Sequence, residues 1–452
     1  MKNYDLIVIG AGSGNMLLGG ELDHLHAAII EPDRFGGTCL NRGCIPSKML
    51  VVTADAAHAV GQGQRLGVHA TLDRVDWPAI RARVFDRLDP LHDAAVAYRR
   101  RSGTDVYTEP ARFVGPRMLE VGDQHLTGDQ IVVAAGSRPV VPPIQGLDEV
   151  EFHTSDTIMR IDEIPTSLIV IGGGFIAAEL GHVFGAFGAE VTIVQRGPRL
   201  LPAEDEALST RFTDLAQRRF DVRLDTTVTA VAARGKGGVA VTVEHDGQSE
   251  VLEGAALLVA TGRRPNTDLL NVAAAGLAVD EHGHLVTDDA YQTTDTGVWA
   301  FGDAANHFQL KHMANAEERV VAHNLAHPDE PHHLPHHLVP HAVFSDPQVA
   351  SVGLTEAQAR DRGIKHVTAT HGYADAAYGW ALEDTTSFVK LIADPDARTL
   401  LGAHIIGPQA ATLLQPLLQG MMLGQTVDQL AHDVLYIHPA LTEVVEQALL
   451  EL

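Results

Sequence analysis

The chain of 452 residues is long enough for two to four domains rather than one. Its hydrophobic content of 45% and charged content of 20% are those of a globular protein, which excludes disorder as the main state. Lys plus Arg total 33 against 58 for Asp plus Glu, and the resulting net charge of −25 repels phosphate backbones and anionic bilayers, so no nucleic acid and no membrane is expected as a partner.

The chain opens Lys2-Asn3-Tyr4-Asp5 and passes at once into the apolar run 6–9, without the pattern of a signal peptide. No later run approaches the ~20 apolar residues of a membrane span. After the run come Gly10-Ala11-Gly12-Ser13-Gly14-Asn15, a helix expected over 16–26, and a second apolar run, 27–30, ending at Glu31. This reads as a βαβ unit. Gly10, Gly12 and Gly14 let the backbone approach a pyrophosphate at a helix N-terminus, and Glu31 is placed to accept hydrogen bonds from an adenosine ribose. Taken alone, the motif is also compatible with a plain tight loop. Asn15 replaces a frequent third glycine, and Gly19-Gly20 make the expected helix irregular.

Next is Gly36-Gly37-Thr38-Cys39-Leu40-Asn41-Arg42-Gly43-Cys44-Ile45-Pro46-Ser47-Lys48, which holds both cysteines of the chain. Two cysteines at this spacing can close a disulfide if the chain turns at Gly43. Pro46 and the apolar positions after it read as a helix start, where the dipole acidifies a thiol. The alternative is two buried cysteines without a role. With so few cysteines the chain is no disulfide-stapled secreted scaffold, and a reducing cytoplasmic setting with reactive thiols is expected.

The run from Ile131 to Val133 enters a turn at Ala134-Ala135-Gly136-Ser137-Arg138-Pro139. Then the opening pattern recurs: 168–171 is apolar, followed by Gly172-Gly173-Gly174-Phe175-Ile176-Ala177, Gly181, and a strand 191–194 ending at Gln195-Arg196. The segment 257–265, with Gly262, echoes 131–139. Two such fingerprints, roughly 160 residues apart, indicate two nucleotide-binding domains. Arg196 and Arg199 stand where NAD enzymes carry an acid against a 2′-phosphate, which favours NADPH; solvated surface arginines are the plainer alternative.

The strand-to-turn unit 296–304 brings Asp303 to where it can bond a polyol hydroxyl, and Lys311-His312-Met313-Ala314-Asn315 precedes a central helix. Residues 323–341 carry seven histidines, including His332-His333 and His336-His337, interrupted by Pro328, Pro331, Pro335 and Pro340. This tract is a solvated linker or, in a different class of function, a metal-binding module without fixed geometry. A separate α/β domain is expected from about Pro340. Near its end, Tyr436-Ile437-His438-Pro439-Ala440-Leu441-Thr442-Glu443 pairs an imidazole with a carboxylate that can orient it as a general acid/base, unless the histidine merely precedes a helix.

The Gly-Gly-Thr-Cys-x4-Cys segment, the two glycine fingerprints, Thr-Gly-x4-Gly-Asp and the terminal His-Pro-x4-Glu together resemble the pyridine nucleotide–disulfide oxidoreductases over essentially the whole chain. The resemblance implies an α/β fold of glutathione reductase type, with two Rossmann-like dinucleotide-binding domains and a C-terminal α+β dimerisation domain. The implied division is 1–146 for the first part of the FAD-binding domain, 147–265 for NAD(P)H binding, 266–338 for the second, central part of the FAD domain, and 339–452 for the interface domain. One FAD per subunit, NADPH as co-substrate with NADH as second choice, and a homodimer with shared active sites follow from the same likeness; no resident metal is implied.

By this resemblance Cys44 is the flavin-side sulfur and Cys39 the thiol that attacks the substrate disulfide. His438 and Glu443 come from the other subunit as the proton-transfer pair. Lys48 pairs with Glu179 beside the flavin, Asp303 holds the ribityl chain, and Phe175 gates the flavin. Gly10, Gly12, Gly14, Glu31, Gly37, Thr38, Ala111, Gly136, Gly172, Gly174, Ile176, Arg196, Arg199 and Gly262 are the further implied cofactor positions. Electrons then pass from NADPH through FAD and a Cys39–Cys44 disulfide to a small-molecule disulfide.

Within the family, the missing acid at 195–199 disfavours the dihydrolipoamide dehydrogenases. Two cysteines do not supply the extra pair of mercuric or large thioredoxin reductases. The arginine-free stretch 16–26 lacks the clamps by which glutathione reductases hold a dianionic disulfide. Gly-Ser-Gly-Asn, the irregular first helix and 311–315 are most similar to the branch that reduces mycothione, the disulfide of a cysteine–sugar–inositol thiol.

Overall fold

The structure is a computed structural model and describes residues 1–235, 237–334 and 338–452. Strand β1 (Lys2–Ile9) lies between β2 (Ala27–Ile30) and β6 (Gln124–Val133), parallel to both. Every residue of β2 is buried, as expected of a parallel strand covered on both faces. Helices α1 (Gly37–Arg42) and α2 (Cys44–Gln62) are separated at Gly43, where a Cβ would come 2.9 Å from Thr38 O. Helix α3 (Trp77–Leu88) is capped by the Asp76 side chain, and α4 (Pro90–Arg101) follows directly. Strands β3 (Asp105–Tyr107), β4 (Ala111–Gly115), β5 (Met118–Val121) and β6 (Gln124–Val133) complete a sheet ordered β3-β2-β1-β6-β5-β4. Strand β7 (Ser137–Pro139) then leaves it.

The second unit starts with β8 (Ser167–Ile171), α5 (Phe175–Ala186), β9 (Glu190–Val194), α6 (Glu206–Ala216) and β10 (Asp221–Arg223). An antiparallel meander, β11 (Thr227–Arg234), β12 (Gly238–His245) and β13 (Gln248–Gly254), precedes β14 (Ala256–Val259), which returns beside β8. The parallel sheet is ordered β10-β9-β8-β14. Strand β15 (Arg263–Pro265) pairs antiparallel with β7, so the two crossings between the nucleotide units are stitched together. The chain then re-enters the first sheet as β16 (Val298–Ala300), parallel to β6, and continues into α7 (Lys311–Ala326).

The last segment is an antiparallel sheet with helices packed against it. Strands β17 (His341–Val343), β18 (Val349–Gly353), β19 (Val367–Gly372), β20 (Phe388–Ala393) and β21 (Leu400–Ile406) take the order β17-β18-β21-β20-β19. Helices α8 (Glu356–Asp361), α9 (Ala377–Ala381), α10 (Ala410–Met422), α11 (Val427–His432) and α12 (Thr442–Leu450) accompany it. Val389, Leu391, Ile405, Leu413, Leu417 and Val444 form its core. Among the described residues no helix is long and apolar enough to cross a membrane.

Two expectations need correction. No α-helix forms over 16–26: the chain makes two 3₁₀ stretches, Ser13–Leu17 and Gly20–Leu22, interrupted at Gly19, which is extended, and Gly20, at φ +62°. In addition, residues 311–315 do not precede the central helix; they are its first turn.

Candidate active site

Gly10 stands at φ +104°, and a Cβ there would lie 2.2 Å from Ala134 O, so only glycine fits. Ala11 O accepts from Gly36 N at 2.9 Å, and a Cβ on Gly37 would come 2.8 Å from the Cα of Gly12. Bare backbone therefore meets bare backbone where α1 begins. At the end of β2 the Glu31 carboxylate accepts from Ala11 N at 2.9 Å and Asp33 N at 3.0 Å, and burial raises its pKa. Past the end of β16, Asp303 accepts from Ser137 Oγ at 2.5 Å, and Ser137 Oγ accepts from Arg263 Nε at 3.0 Å. Gly14 lies in the first 3₁₀ stretch, Gly136 is at φ +67° with open space beside it, and Thr38 Oγ1 is a distant partner of Arg263 at 3.5 Å. The Ala111 side chain is packed in the sheet core. A cradle that a side chain would fill, between two acids at the carboxyl ends of parallel strands, fits an adenine dinucleotide.

The missing helix has a physical substitute. Arg99, buried at the end of α4, donates Nε to Asn15 Oδ1 at 2.7 Å and its two terminal nitrogens to the carbonyls of Asn15 and Leu18. One guanidinium thus satisfies acceptors that a regular helix would pair internally. Composition alone did not single this residue out.

Cys39 is half-buried in α1 and Cys44 is exposed at the first turn of α2; both are free thiols. The two side chains share a hydrogen bond. Donation from Cys39, aided by the nearby Lys48 ammonium, lowers Cys44 to about 7 against the opposing effect of burial. The same bond, with burial and the charge of Cys44, drives Cys39 far up. Of the two thiols, Cys44 is therefore the more acidic. One turn along α2, Lys48 Nζ donates to both carboxylate oxygens of Glu179, on α5, at 2.6 Å. Phe344 N donates to Glu179 Oε1 at 2.9 Å, and the Lys48 ammonium lies 4.7 Å from the centroid of the Phe344 ring.

The second glycine turn repeats the first. Gly172 stands at φ +120°, and a Cβ would lie 2.3 Å from Ala260 O. Gly174 precedes α5; Phe175, 47% exposed, begins that helix, and Ile176 is half-buried behind it. Gly262, at φ +110°, accepts from Val140 N at 2.9 Å. Arg196 is exposed, whereas Arg199 donates to Glu206 Oε1 at 2.9 Å. That carboxylate, at the head of α6, lies outside the stretch read from the sequence and partly neutralises the arginine pair.

His438 and Glu443 come together as expected: Nδ1 and Oε1 are 2.6 Å apart, and Glu443 is lowered chiefly by this bond. The imidazole is 70% exposed and, among the described residues, bonds to neither cysteine of its own chain. Leu435 and Ile437 beside it are 97% and 74% exposed.

In the histidine-rich tract, the rings of His323 and His332 stack with centroids 3.5 Å apart, and His327 Nε2 lies 3.1 Å from Glu21 Oε2. Pro335, His336 and His337 lie outside the described residues. Among the described residues no group of three or more His, Cys, Asp or Glu side chains could hold a metal ion.

Residues 4–318 match the pyridine nucleotide-disulphide oxidoreductases, and residues 339–449 match the dimerisation domain of that group. The chain is 45% identical, over 100% of both sequences, to mycothione reductase of Mycobacterium tuberculosis (strain ATCC 25618 / H37Rv). It is 32% identical to dihydrolipoyl dehydrogenase 2 of Haloarcula marismortui, covering 98% of this chain and 95% of the relative. Among solved structures, the HOCl-induced flavoprotein disulfide reductase RclA from Escherichia coli matches with a TM-score of 0.87 at 27% identity over 99% of each chain.

Proposed function

The chain belongs to the pyridine nucleotide-disulphide oxidoreductase family, and from that premise we propose that it reduces a small-molecule disulfide, mycothione, with electrons from NADPH. The observation that carries the chemistry is the cysteine pair, Cys39 on α1 and Cys44 at the first turn of α2, following the first glycine cradle and preceding by one turn the Lys48–Glu179 ion pair.

FAD, when bound, supplies two-electron transfer between a reduced nicotinamide and the sulfur pair. The segments 1–146 and 266–338 would hold it, through Gly10, Gly12, Gly14, Gly37 and Thr38 along the backbone cradle, with Glu31 toward the ribose, Asp303 toward the ribityl chain, and Ala111 and Gly136 contributing backbone. The segment 147–265 would hold NADPH through Gly172, Gly174, Ile176 and Gly262, with Arg196 and Arg199 toward the 2′-phosphate and Phe175 as the gate. Lys48, fixed by Glu179, presents positive charge on the cysteine side.

Cys39 holds its proton tightly within one chain, so its attack needs a base. His438 of the partner subunit, oriented by Glu443, takes that proton. The Cys39 sulfur attacks one sulfur of the substrate disulfide, and a mixed disulfide forms. The leaving thiolate receives the proton back from the imidazole. Cys44 thiolate then attacks the Cys39 sulfur, which restores the Cys39–Cys44 disulfide and releases the second product as a thiolate that takes its proton from solvent. Segment 339–452 supplies the dimer contact that brings the histidine in, and a reducing cytoplasm suits the free thiols.

For the substrate, the relevant feature is the turn over residues 13–22. Its nearby guanidinium, Arg99, is turned inward onto backbone carbonyls and offers no clamp to a dicarboxylate disulfide. A hydroxyl-rich disulfide without paired carboxylates meets no penalty there. FAD-loaded protein assayed with NADPH and NADH should turn over mycothione fast and glutathione disulfide or lipoamide at least tenfold more slowly. Equal turnover of lipoamide with NADH would replace this reading with dihydrolipoamide oxidation.

A further inference from the structure

Among the described residues, the half-buried Lys48 faces Glu179, and the buried Lys390, on β20 of the C-terminal sheet, faces Asp205 and Glu356. Lys311 is placed differently. It opens α7, and its Nζ donates to Ser13 Oγ at 2.8 Å, while Ser13 Oγ donates to Asn315 Oδ1 at 3.0 Å. Among the described residues no carboxylate is within hydrogen-bonding distance of this ammonium; Glu318, two turns along the same helix, acts only through space. The groups that act on it more strongly are Cys39 first and Cys44 second.

The backbone accounts for this proximity. Ser13 sits between Gly12 and Gly14, the Gly12 backbone lies against Gly37, and Cys39 follows two residues later in α1. The glycine turn, α1 and α7 therefore converge on one point. Burial makes the ammonium costly and lowers the pKa of Lys311, whereas an apolar side chain in the same place would carry no such cost. A counter-charge arrives only when the cysteine pair is reduced.

We propose that Lys311 is a positioning residue whose ammonium stabilises negative charge on the reduced Cys39–Cys44 pair, at Cys39 before Cys44, and draws the disulfide toward reduction. The inference rests on the function proposed above only in taking these cysteines as the redox couple. In the step concerned, the disulfide accepts two electrons and one proton and becomes one thiol and one thiolate. With dithiothreitol as reductant, the reagent closes to its cyclic disulfide and its second proton goes to the buffer. The charged groups facing the pair are Lys48, already balanced by Glu179, and Lys311; in the dimer, His438 of the partner subunit joins them.

The test uses full-length holoprotein without substrate or nicotinamide nucleotide. The ratio of disulfide to dithiol is read by mass spectrometry in graded dithiothreitol buffers. Lys311→Met should shift the equilibrium about tenfold toward the disulfide, about 30 mV for a two-electron couple. In a Cys44→Ser background, where Cys39 is the remaining thiol, Lys311→Met should raise the pH midpoint of iodoacetamide alkylation by roughly one unit. Lys311→Arg should restore both, and Lys311→Gln serves as the second neutral variant should the methionine variant misfold. Neutral variants that leave both readouts unchanged overturn the proposal, as does an arginine variant that shifts as far as the methionine one. Neither readout depends on which disulfide is reduced, so failure here is distinguishable from failure of the substrate panel.

Discussion

At the scale of single residues, the site is organised by where protons reside. Cys44 is held near neutrality and Cys39 well above its ordinary range, so in the reaction proposed above the Cys39 sulfur needs the imidazole to become a nucleophile. His438→Ala should therefore slow disulfide turnover by ~10²–10⁴-fold, measured by NADPH oxidation at saturating disulfide. A loss below threefold would remove His438 from the mechanism. The residue types and spacing of Cys39, Cys44, Lys48, His438 and Glu443 were legible because each stands in a short local pattern. Lys311, Arg99 and Glu206 were not recognised for what they do, because their partners lie far away in sequence: Lys311 meets Ser13, and Arg99 meets Asn15 and Leu18. Spacing along a chain carries no information about such pairs.

At the scale of elements, the two βαβ units could be read from their glycines, and the steric reason is the same in both: Gly10 meets Ala134 O and Gly172 meets Ala260 O. The helix expected over 16–26 could not be read correctly. Gly19-Gly20 weaken it, and Arg99 then offers its carbonyls better partners than helical amides would. Removing that guanidinium leaves buried acceptors unpaired. Arg99→Met should cost about 3 kcal/mol in urea unfolding of the holoprotein and loosen flavin retention, followed by flavin fluorescence. Arg99→Lys should recover less than half, since an ammonium cannot reach three acceptors in one plane. Wild-type stability in Arg99→Met would show that the 3₁₀ stretches stand without it.

At the scale of the whole molecule, a buried polar network ties the loop after β9 to the C-terminal sheet. Glu204 bonds His341 at 2.7 Å and Ser351 at 2.5 Å, and Asp205 accepts from Lys390 at 2.8 Å. Burial opposes both charges of the Glu204–His341 pair, but the bond between them prevails, lowering Glu204 below its ordinary 4.5 and raising His341 above 6.5. The contribution of Glu204 is present above 4.5 and lost as pH falls through its lowered value. That of His341 is complete below 6.5 and lost as pH rises through its raised value. Urea midpoints should thus peak between these limits, and His341→Gln should flatten the alkaline side; an unchanged alkaline slope would show that the pair does not couple the units. The exposed His438, out of contact with the sulfurs of its own chain, has a further consequence. A preparation of Cys39→Ser and one of His438→Ala, each inert alone, should regain about a quarter of the normal rate after subunits are dissociated and randomly reassociated, because half the assemblies then contain one wholly intact centre of two. If the proposed sharing holds, catalysis is a property that a solitary polypeptide never owns, and dilution should extinguish it before anything unfolds.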